Sequence, residues 1–293
     1  MRFATFRQDG RLGLAVSAGG GFHARMEGDP GYPGSLMDLL RRGEGLGPAG
    51  QGVLAGPALD LTAVELLPPL PVPGKILCIG MNYAEHAAEI GAELPACPEV
   101  FVRFPTSLVG HGAPILRPPA SDQLDYEGEL AAVIGRPGRA IPRDQALAYI
   151  AGYSIFNDAS IRDVQFRTRQ WTLGKNFDAT GAFGPVLVTA DELPDGARGL
   201  RLRTRLNGEV LQDASTSRLI FDVAALVALL SEGMTLEPGD LIVTGTPSGV
   251  GFTREPPVFM RPGDVCEVEL DGIGVLRNPV RQASGPAGIR SNQ

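Results

Sequence analysis

Two carboxylates stand close together inside an otherwise apolar run. The run is LDYEGELAAVIG, Leu124 to Gly135, and it carries Glu127 and Glu129. Its alternation predicts a mostly buried β-strand, in which side chains at i and i+2 point to the same face. Two such carboxylates repel each other, so one binds a proton or a cation lies between them. A hard divalent metal such as Mg²⁺ or Mn²⁺ would satisfy both. An exposed edge strand is the alternative, and the pair alone favours it.

A second group of polar residues follows the apolar segment YSIF and strengthens the metal hypothesis. Asp158 stands at the end of this predicted strand and offers a third oxygen ligand. Asp163 is the structural alternative, and we expect it to pair with Arg162. Farther along, Lys175 lies in WTLGKNFDATG, where the glycine neighbours let the backbone approach a small ligand closely.

Lysine is rare in this chain, because Lys75 and Lys175 are the two lysines among 26 basic residues. A retained lysine points mildly to chemistry that arginine cannot do, since lysine can lose its proton. We interpret Lys175 in this way. Lys75, beside the PVPG turn, is interpreted as a chance occurrence.

The helix predicted after KILCIGMNY carries His86 and Glu89, which share one helical face at spacing i and i+3. A glutamate that accepts a hydrogen bond from one ring nitrogen fixes the tautomer, so the other nitrogen can deprotonate water. An ordinary surface pair is an equally good interpretation of this spacing. His23 and His111 are interpreted as ordinary polar residues.

Composition excludes several classes of protein. The net charge is −7 and no cluster of Lys and Arg stands out, so nucleic-acid binding has little electrostatic basis. No apolar run has membrane-spanning length, and the N-terminus is too broken by charge and glycine for a signal peptide. Cys78, Cys97 and Cys266 form no CxxC motif and no even disulfide set. We therefore expect a cytoplasmic protein with free thiols, no membrane partner and no nucleic-acid partner.

The elements that must position these residues are mainly strands. The pattern predicts an N-terminal hairpin around Asp9, a helix from Ser35 to Gly43, and a helix over IFDVAALVALLSEG that ends at Gly233. It also predicts longer helices over YAEHAAEIGAEL and IPRDQALAYIAGY. The proline-rich segment LPPLPVPG suggests a boundary. We predict a small N-terminal α/β domain over residues 1–70, a β-rich α+β catalytic domain over residues 71–285, and a disordered tail over residues 286–293.

Five sequence blocks together resemble the fumarylacetoacetate hydrolase superfamily, in its shorter bacterial type with a small N-terminal domain. The resemblance covers about residues 73–281. Each block is weak alone, but five in the same order are specific. The blocks are Gly80-Met81-Asn82-Tyr83 through His86 and Glu89; Asp125-Tyr126-Glu127-Gly128-Glu129; Asn157-Asp158 through Arg162-Asp163 and Gln165; Gly174-Lys175-Asn176-Phe177-Asp178; and Thr244-Gly245-Thr246-Pro247 through Gly251.

The resemblance implies a role for each matching residue. It implies a mixed β-sandwich roll, a homodimer, a divalent metal (Mg²⁺ or Mn²⁺), and a small 2-oxo or β-diketo acid as substrate. The implied metal ligands are Glu127, Glu129 and Asp158. The implied catalytic residues are His86, Glu89 and Lys175. The implied substrate contacts are Tyr83, Arg162, Gln165 and Thr246, with the Thr246 hydroxyl near the substrate carboxylate.

The resemblance and the intact histidine pair lead to a first hypothesis of C–C bond hydrolysis. A metal would polarise the ketone of an acylpyruvate or related β-diketo acid from aromatic catabolism. His86, oriented by Glu89, would deprotonate the attacking water, and Lys175 would supply positive charge to developing oxyanions.

Three alternatives remain open on the same residues. The first is decarboxylation of oxaloacetate, keto–enol isomerisation, or double-bond isomerisation of a 2-hydroxy-diene-dioate. The second is dehydration of a sugar acid or hydrolysis of a 2,4-diketo sugar acid. The third is a non-catalytic binding protein on an enzyme fold. We rank the third last, because neither a ligand position nor the base has been lost.

Overall fold

Strands dominate the part of the chain that the computed structural model describes, residues 1–284, and the predicted tail lies outside these residues. The strands, numbered along the chain, are β1 (Arg2–Gln8), β2 (Arg11–Ser17), β3 (Phe22–Met26), β4 (Ala58–Leu59), β5 (Glu65–Leu66), β6 (Ile76–Gly80), β7 (Glu99–Arg103), β8 (Leu108–Val109), β9 (Ile115–Arg117), β10 (Leu124–Asp125), β11 (Gly128–Ile134), β12 (Ile150–Asp158), β13 (Ser160–Ile161), β14 (Gly181–Thr189), β15 (Arg201–Leu206), β16 (Glu209–Ser215), β17 (Leu241–Val243), β18 (Val265–Leu270) and β19 (Gly274–Gln282). The α-helices are α1 (Leu36–Arg42), α2 (Leu46–Leu54), α3 (Ala84–Glu89), α4 (Arg162–Gln165), α5 (Thr172–Lys175) and α6 (Val223–Gly233).

The strands form three sheets. The largest has the order β4-β3-β2-β1-β14-β12-β11-β17-β6-β7, with β5 added to β1 and β8 added to β14. A five-stranded sheet has the order β16-β15-β18-β19-β9, and β10 pairs with β13. Most pairs are antiparallel, but β17 pairs with β6 in parallel. This is the β-rich α+β architecture that the sequence predicts. None of the helices within residues 1–284 is long and apolar enough to cross a membrane.

The N-terminal strands extend the largest sheet rather than forming a sheet of their own. β1 pairs with β14 through Arg2–Val188 and Phe3–Leu187. The proline-rich segment runs between β5 and β6, next to this junction. The domain boundary at residue 70 therefore stays a prediction. Backbone hydrogen bonds of the sheet join strands from before and after this residue.

Two predicted helices are confirmed, α1 with its predicted Ser35 and Gly43 ends, and α6 with its predicted end at Gly233 but with an Asp222 cap that was not predicted. The side chain of Ser35 accepts a hydrogen bond from the Asp38 backbone, and Gly43 ends α1 in the left-handed conformation with φ of 72°. Asp222 caps α6 by accepting from the Ala225 backbone. In both cases a local side-chain bond specifies the end, so the sequence signal is strong. The short helix α2 is an element that the sequence analysis missed.

Three predicted elements are wrong in their extent. The carboxylate strand is broken, because β10 ends at Asp125 and β11 begins at Gly128, which leaves Glu127 between two strands. The helix that carries the histidine ends at Glu89, and Gly91 follows with φ of 69°, a left-handed turn that stops the helix. The segment Arg143–Tyr149 is a 3₁₀ helix rather than an α-helix.

The alternation within β11 separates two apolar cores. Ala131 and Val133 pack into the core that contains α1 and α2, whereas Leu130, Ala132 and Ile134 pack into the core between the sheets. β11 pairs antiparallel with β12, so the start of β11 lies beside the end of β12. This register brings the carboxylates of the two strands to one place.

Candidate active site

Three buried carboxylates meet where β11 begins and β12 ends. Glu127, Glu129 and Asp158 each offer one oxygen, and these oxygens all lie within 4.8 Å of one another. The backbone N–H of Asp158 donates to the carbonyl of Glu127 at 2.8 Å, which fixes the two segments side by side. Side chains of Glu129 and Asp158 are almost fully buried. Three hard oxygen ligands in one buried cluster fit a divalent cation such as Mg²⁺ or Mn²⁺.

Lys175 is the cation that contacts this cluster most directly. Its Nζ lies 2.6 Å from Glu127 Oε2 and 2.6 Å from Asp158 Oδ2. Burial lowers the pKa of Lys175, but the charges of Asp158 and Glu127 outweigh burial and raise it above its usual range. In these contacts Lys175 is a buried positive charge between two carboxylates, and the role suggested by its rarity stays a prediction.

A second buried cation, Arg103 of β7, holds Asp158 from the other side. Its Nη1 donates to Asp158 Oδ1 at 2.5 Å and to the Ala159 carbonyl at 3.1 Å. The same guanidinium donates to Thr180 and Ser107 at 2.7 and 3.2 Å. Arg103 thus holds Oδ1 of Asp158 while Lys175 contacts Oδ2, so a metal ion bound to Asp158 would share Oδ2 with Lys175. The sequence did not predict the contact between Arg103 and Asp158, and its signal was a charge inside the apolar segment FVRFP.

Arg162 makes a network that the sequence did not predict. Its Nε donates to Asp125 Oδ2 at 2.9 Å, Nη2 lies 2.6 Å from Glu127 Oε1, and Nη1 donates to Gln165 at 3.0 Å. The expected pair with Asp163 is wrong, because Asp163 accepts from the Ser121 hydroxyl on the other side of α4.

The two glutamates of the cluster differ strongly in electrostatic surroundings. Burial raises the pKa of Glu127, but Arg162 and Lys175 outweigh it and hold the pKa at about 2. Burial raises the pKa of Glu129 well above its usual range, and the charges of Asp158 and Glu127 raise it further. Within residues 1–284 no cation forms an ion pair with Glu129, whose Oε2 accepts from the Gly245 N–H at 2.5 Å. Glu129 is therefore the carboxylate that most needs a proton or a metal ion.

His86 and Glu89 form the pair that the helical spacing predicts. His86 Nδ1 lies 3.0 Å from Glu89 Oε2, and the His86 side chain is buried. Glu89 Oε1 accepts from the Gly249 N–H at 2.8 Å and from the Thr253 hydroxyl at 3.0 Å. Burial raises the pKa of Glu89, but these three donors outweigh burial and lower it. An ionised Glu89 keeps the Nδ1 proton in place, so Nε2 is the nitrogen free to accept a proton.

These groups surround one cavity of about 50 Å³. The polar side chains that line it are His86, Glu127, Glu129, Arg162, Gln165, Lys175 and Thr246. The apolar side chains that line it are Ile79, Met81, Ile90, Phe101, Phe166, Trp171 and Phe252. A base, paired carboxylates and fixed cations facing one small space can polarise a small acid and move one of its protons.

Two of the predicted substrate contacts are placed differently from the rest. Tyr83 is buried at the start of α3, does not line the cavity, and its hydroxyl has no hydrogen-bond partner among residues 1–284. Thr246 does line the cavity, but its hydroxyl donates to the Gly128 carbonyl at 3.1 Å and accepts from Gln212 at 2.8 Å. The Thr246 hydroxyl proton is already used, so this residue can only accept from a ligand. The substrate roles of both residues stay predictions.

The remaining histidines and the other lysine lie outside the site. His23 Nδ1 contacts the Gly56 carbonyl at 2.8 Å, and His111 Nδ1 accepts from the Arg277 backbone at 3.2 Å. Lys75 Nζ donates to Asp240 at 2.6 Å. His23 and His111 thus make ordinary polar contacts, whereas Lys75, interpreted from the sequence as a chance occurrence, forms an ion pair with a buried carboxylate.

Comparisons with known proteins agree with this geometry. Residues 75–281 match the family model described as "Fumarylacetoacetate (FAA) hydrolase C-terminal". The chain is 38% identical over 287 residues to the oxaloacetate tautomerase Fahd2a of Rattus norvegicus, covering 96% of this chain and 91% of the relative. It is 45% identical over 225 residues to the oxaloacetate tautomerase YisK of Bacillus subtilis, covering 75% and 74%. The solved fumarylacetoacetate hydrolase of Exiguobacterium antarcticum has a TM-score of 0.84 at 39% identity, covering 97% and 100%. The chain is therefore an enzyme of the fumarylacetoacetate hydrolase family, with the β-rich fold of that family.

Proposed function

We propose that this enzyme interconverts the keto and enol forms of a small 2-oxo acid, with oxaloacetate as the first substrate to test. The observation that carries the proposal is that His86 lines the same small cavity as the buried carboxylates and Lys175. The names of two relatives, both oxaloacetate tautomerases, support keto–enol exchange over C–C hydrolysis.

The reaction moves one proton and breaks no carbon–carbon bond. His86 Nε2 removes a proton from the carbon next to the ketone, the C–H electron pair becomes the C=C bond, and the C=O π pair moves onto the oxygen. The protonated imidazole then returns the proton to that oxygen. Glu89 keeps the imidazole in the required tautomer through Nδ1. Lys175 and Arg162 contact Glu127 and also line the cavity, so they supply positive charge there as negative charge develops on the ketone oxygen.

A divalent metal held by Glu127, Glu129 and Asp158 would polarise the 2-oxo group of the bound acid. Mg²⁺ and Mn²⁺ both accept three carboxylate oxygens and leave positions for a substrate. The protein's own residues orient the acid, exclude water through the apolar lining, and hold the proton at His86.

The experiment starts from an enol-rich stock of oxaloacetate diluted into buffer with Mg²⁺ or Mn²⁺. The decay of the enol absorbance gives the tautomerisation rate, and we expect the wild-type protein to accelerate it. We expect His86→Asn to lower kcat/KM by roughly 10² to 10⁴, the usual contribution of a general base. His23→Asn is the matched control, because His23 lies in β3 away from the site and its replacement leaves the rate unchanged. Decay at the uncatalysed rate with wild-type protein would refute the proposal.

C–C hydrolysis is the second candidate, because the solved structure with a TM-score of 0.84 bears the name of a fumarylacetoacetate hydrolase. The same preparation is therefore assayed in parallel for loss of acylpyruvate absorbance and for pyruvate release from oxaloacetate. Acylpyruvate cleavage that is lost in His86→Asn, without enol turnover, would establish the hydrolase instead. Pyruvate release from oxaloacetate alone would indicate a decarboxylase.

A further inference from the structure

The loop from Gly245 to Thr253 donates hydrogen bonds to three carboxylates of the site. The backbone donors are Gly245 to Glu129 (2.5 Å), Gly249 to Glu89 (2.8 Å), and Gly251 and Phe252 to the two oxygens of Asp125 (2.8 and 3.0 Å). The carboxylates belong to different parts of the site: a candidate metal ligand, the partner of His86, and the partner of Arg162. One short loop therefore sets their relative positions.

The loop conformation requires glycine. Gly249 has φ of 99°, and a Cβ at this residue would overlap the carbonyl oxygen of Leu211. The backbone N–H groups of this loop could bind a carboxylate. The structure shows that they bind the protein's own carboxylates.

Thr253 adds the one side-chain hydroxyl that the loop donates to Glu89. Its Oγ1 lies 3.0 Å from Glu89 Oε1, and the Val250 carbonyl is a second acceptor at 2.9 Å. The hydroxyl has one proton, and the ionised carboxylate is the stronger acceptor of the two. A side-chain substitution leaves the backbone N–H donors in place, but it can remove the Thr253 hydroxyl.

We propose that Thr253 is a positioning residue, which with Gly249 fixes Glu89 and thereby holds His86 in the orientation needed to accept a proton. The proposal rests on the proposed function in that it assigns proton transfer to His86. The hydrogen bond from Thr253 to Glu89, on which the proposal is based, does not depend on the substrate.

Loss of the Thr253 hydroxyl should raise the pKa of Glu89. The groups that face Glu89 are His86, the Gly249 N–H and Thr253, and within residues 1–284 no other charged side chain forms an ion pair with it. Thr253→Val removes one donor to the anion, so the anion is less stabilised and the pKa of Glu89 rises. Thr253→Ser keeps the hydroxyl and leaves that pKa in place.

The test follows the His86 ring resonances by NMR while the pH is lowered. The chain has three histidines, so His86→Asn assigns the signal by deleting it. Protonation of Glu89 changes the environment of the ring, and we expect the midpoint of that change to rise by about one pH unit in Thr253→Val. Thr253→Ala is a second variant without the hydroxyl, in case valine disturbs folding. Thr62→Val is the matched control, because the Thr62 hydroxyl also donates to a carboxylate, that of Asp60, on the surface.

Activity supplies a separate readout. We expect kcat/KM for enol decay to fall about tenfold in Thr253→Val, to recover in Thr253→Ser, and to stay unchanged in Thr62→Val. An unchanged midpoint in both hydroxyl-free variants, or the same loss in Thr253→Ser as in Thr253→Val, would overturn the proposal. Wild-type protein without tautomerase activity would refute the proposed function alone, because the NMR comparison needs no substrate.

Discussion

Two groups of ion pairs in this protein have similar distances and opposite surroundings. The buried charge cluster contains Arg103, Asp125, Glu127, Glu129, Asp158, Arg162 and Lys175. The surface charge row on β15, β16, β18 and β19 contains Arg201, Arg203, Arg205, Asp213, Glu267, Glu269 and Arg277. Lys175 lies 2.6 Å from Glu127 with both side chains almost fully buried, and Arg205 lies 2.6 Å from Glu269 with both about a quarter exposed.

The difference shows that burial, rather than distance, decides what these charges do. Exposed pairs contribute about 0–1 kcal/mol each, because water solvates the separated charges almost as well. Water cannot solvate a buried charge in this way, so removing one partner of a buried pair leaves the other charge neither paired nor hydrated. The buried charge cluster is retained in spite of this cost, which is typical of a functional site rather than of a stabilising device.

The largest effect on stability is expected for Arg103, whose side chain is fully buried against Asp158. Arg103→Met leaves one oxygen of Asp158 without its cation, and we expect the free energy of unfolding to fall by about 3–5 kcal/mol. Urea denaturation measures the change. Arg201→Met, which breaks an exposed pair with Asp213, is the control and should cost less than about 1 kcal/mol. Similar losses in both variants would contradict the role assigned to burial.

Glu129 gives the cluster a pH dependence with a definite sign. Burial and the charges of Asp158 and Glu127 raise its pKa in the folded protein. The contribution of protonated Glu129 to the free energy of unfolding is therefore fully present below the pKa of the unfolded chain, about 4.3. It is lost as the pH rises through the raised pKa of Glu129 in the folded protein. A metal ion that takes the place of the proton would reverse this loss.

Measurements of Tm against pH, with chelator or with Mn²⁺, test this expectation. With chelator, we expect Tm of the wild type to fall as the pH rises, relative to Glu129→Gln, by about 2–4 °C per kcal/mol. With Mn²⁺ the wild type should regain Tm and release protons on binding, whereas Glu129→Gln should respond weakly. Equal responses to Mn²⁺ in both proteins would show that Glu129 is not a ligand.

The sequence predicted the parts of the site that depend on local spacing. His86 and Glu89 form their hydrogen bond because helix periodicity brings residues three apart to one face. Glu127 and Glu129 do line one cavity, but Glu127 lies between β10 and β11, so strand periodicity alone does not place it. Asp158 and Lys175 were also named from the sequence, and the resemblance implied a role for each. Arg103 and the Asp125–Arg162 pair depend on contacts between elements distant in the chain, and periodicity carries no information about them. The ends of α1 were predicted because Ser35 caps it and a glycine turn at Gly43 stops it, whereas the glycine turn at Gly91 that follows the end of α3 was missed.

Lys75 tests the intermediate case between the two groups. Its side chain is about one third exposed, while its partner Asp240 is fully buried. Asp240 keeps backbone donors at Lys75 and Glu237, at 2.9 and 2.8 Å, after the lysine charge is removed. We therefore expect Lys75→Met to lower the free energy of unfolding by about 1–2 kcal/mol, between Arg103→Met and Arg201→Met. Urea denaturation measures it, and a loss as large as that of Arg103→Met would show that residual backbone donors do not compensate a buried carboxylate.

The smallest effect is expected in the surface charge row, between Arg201 and Asp213. These side chains are 54% and 39% exposed although Arg201 Nη2 lies 2.5 Å from the carboxylate. A double-mutant cycle with Arg201→Met and Asp213→Asn isolates the pair, and we expect a coupling free energy below about 1 kcal/mol. Because exposed charges are screened, this coupling should shrink as salt is raised from about 0.1 M to about 1 M. The loss in Arg103→Met should persist over the same range, since little salt reaches a fully buried pair. A surface coupling that equals the buried loss and ignores salt would remove the distinction between the two groups of charges.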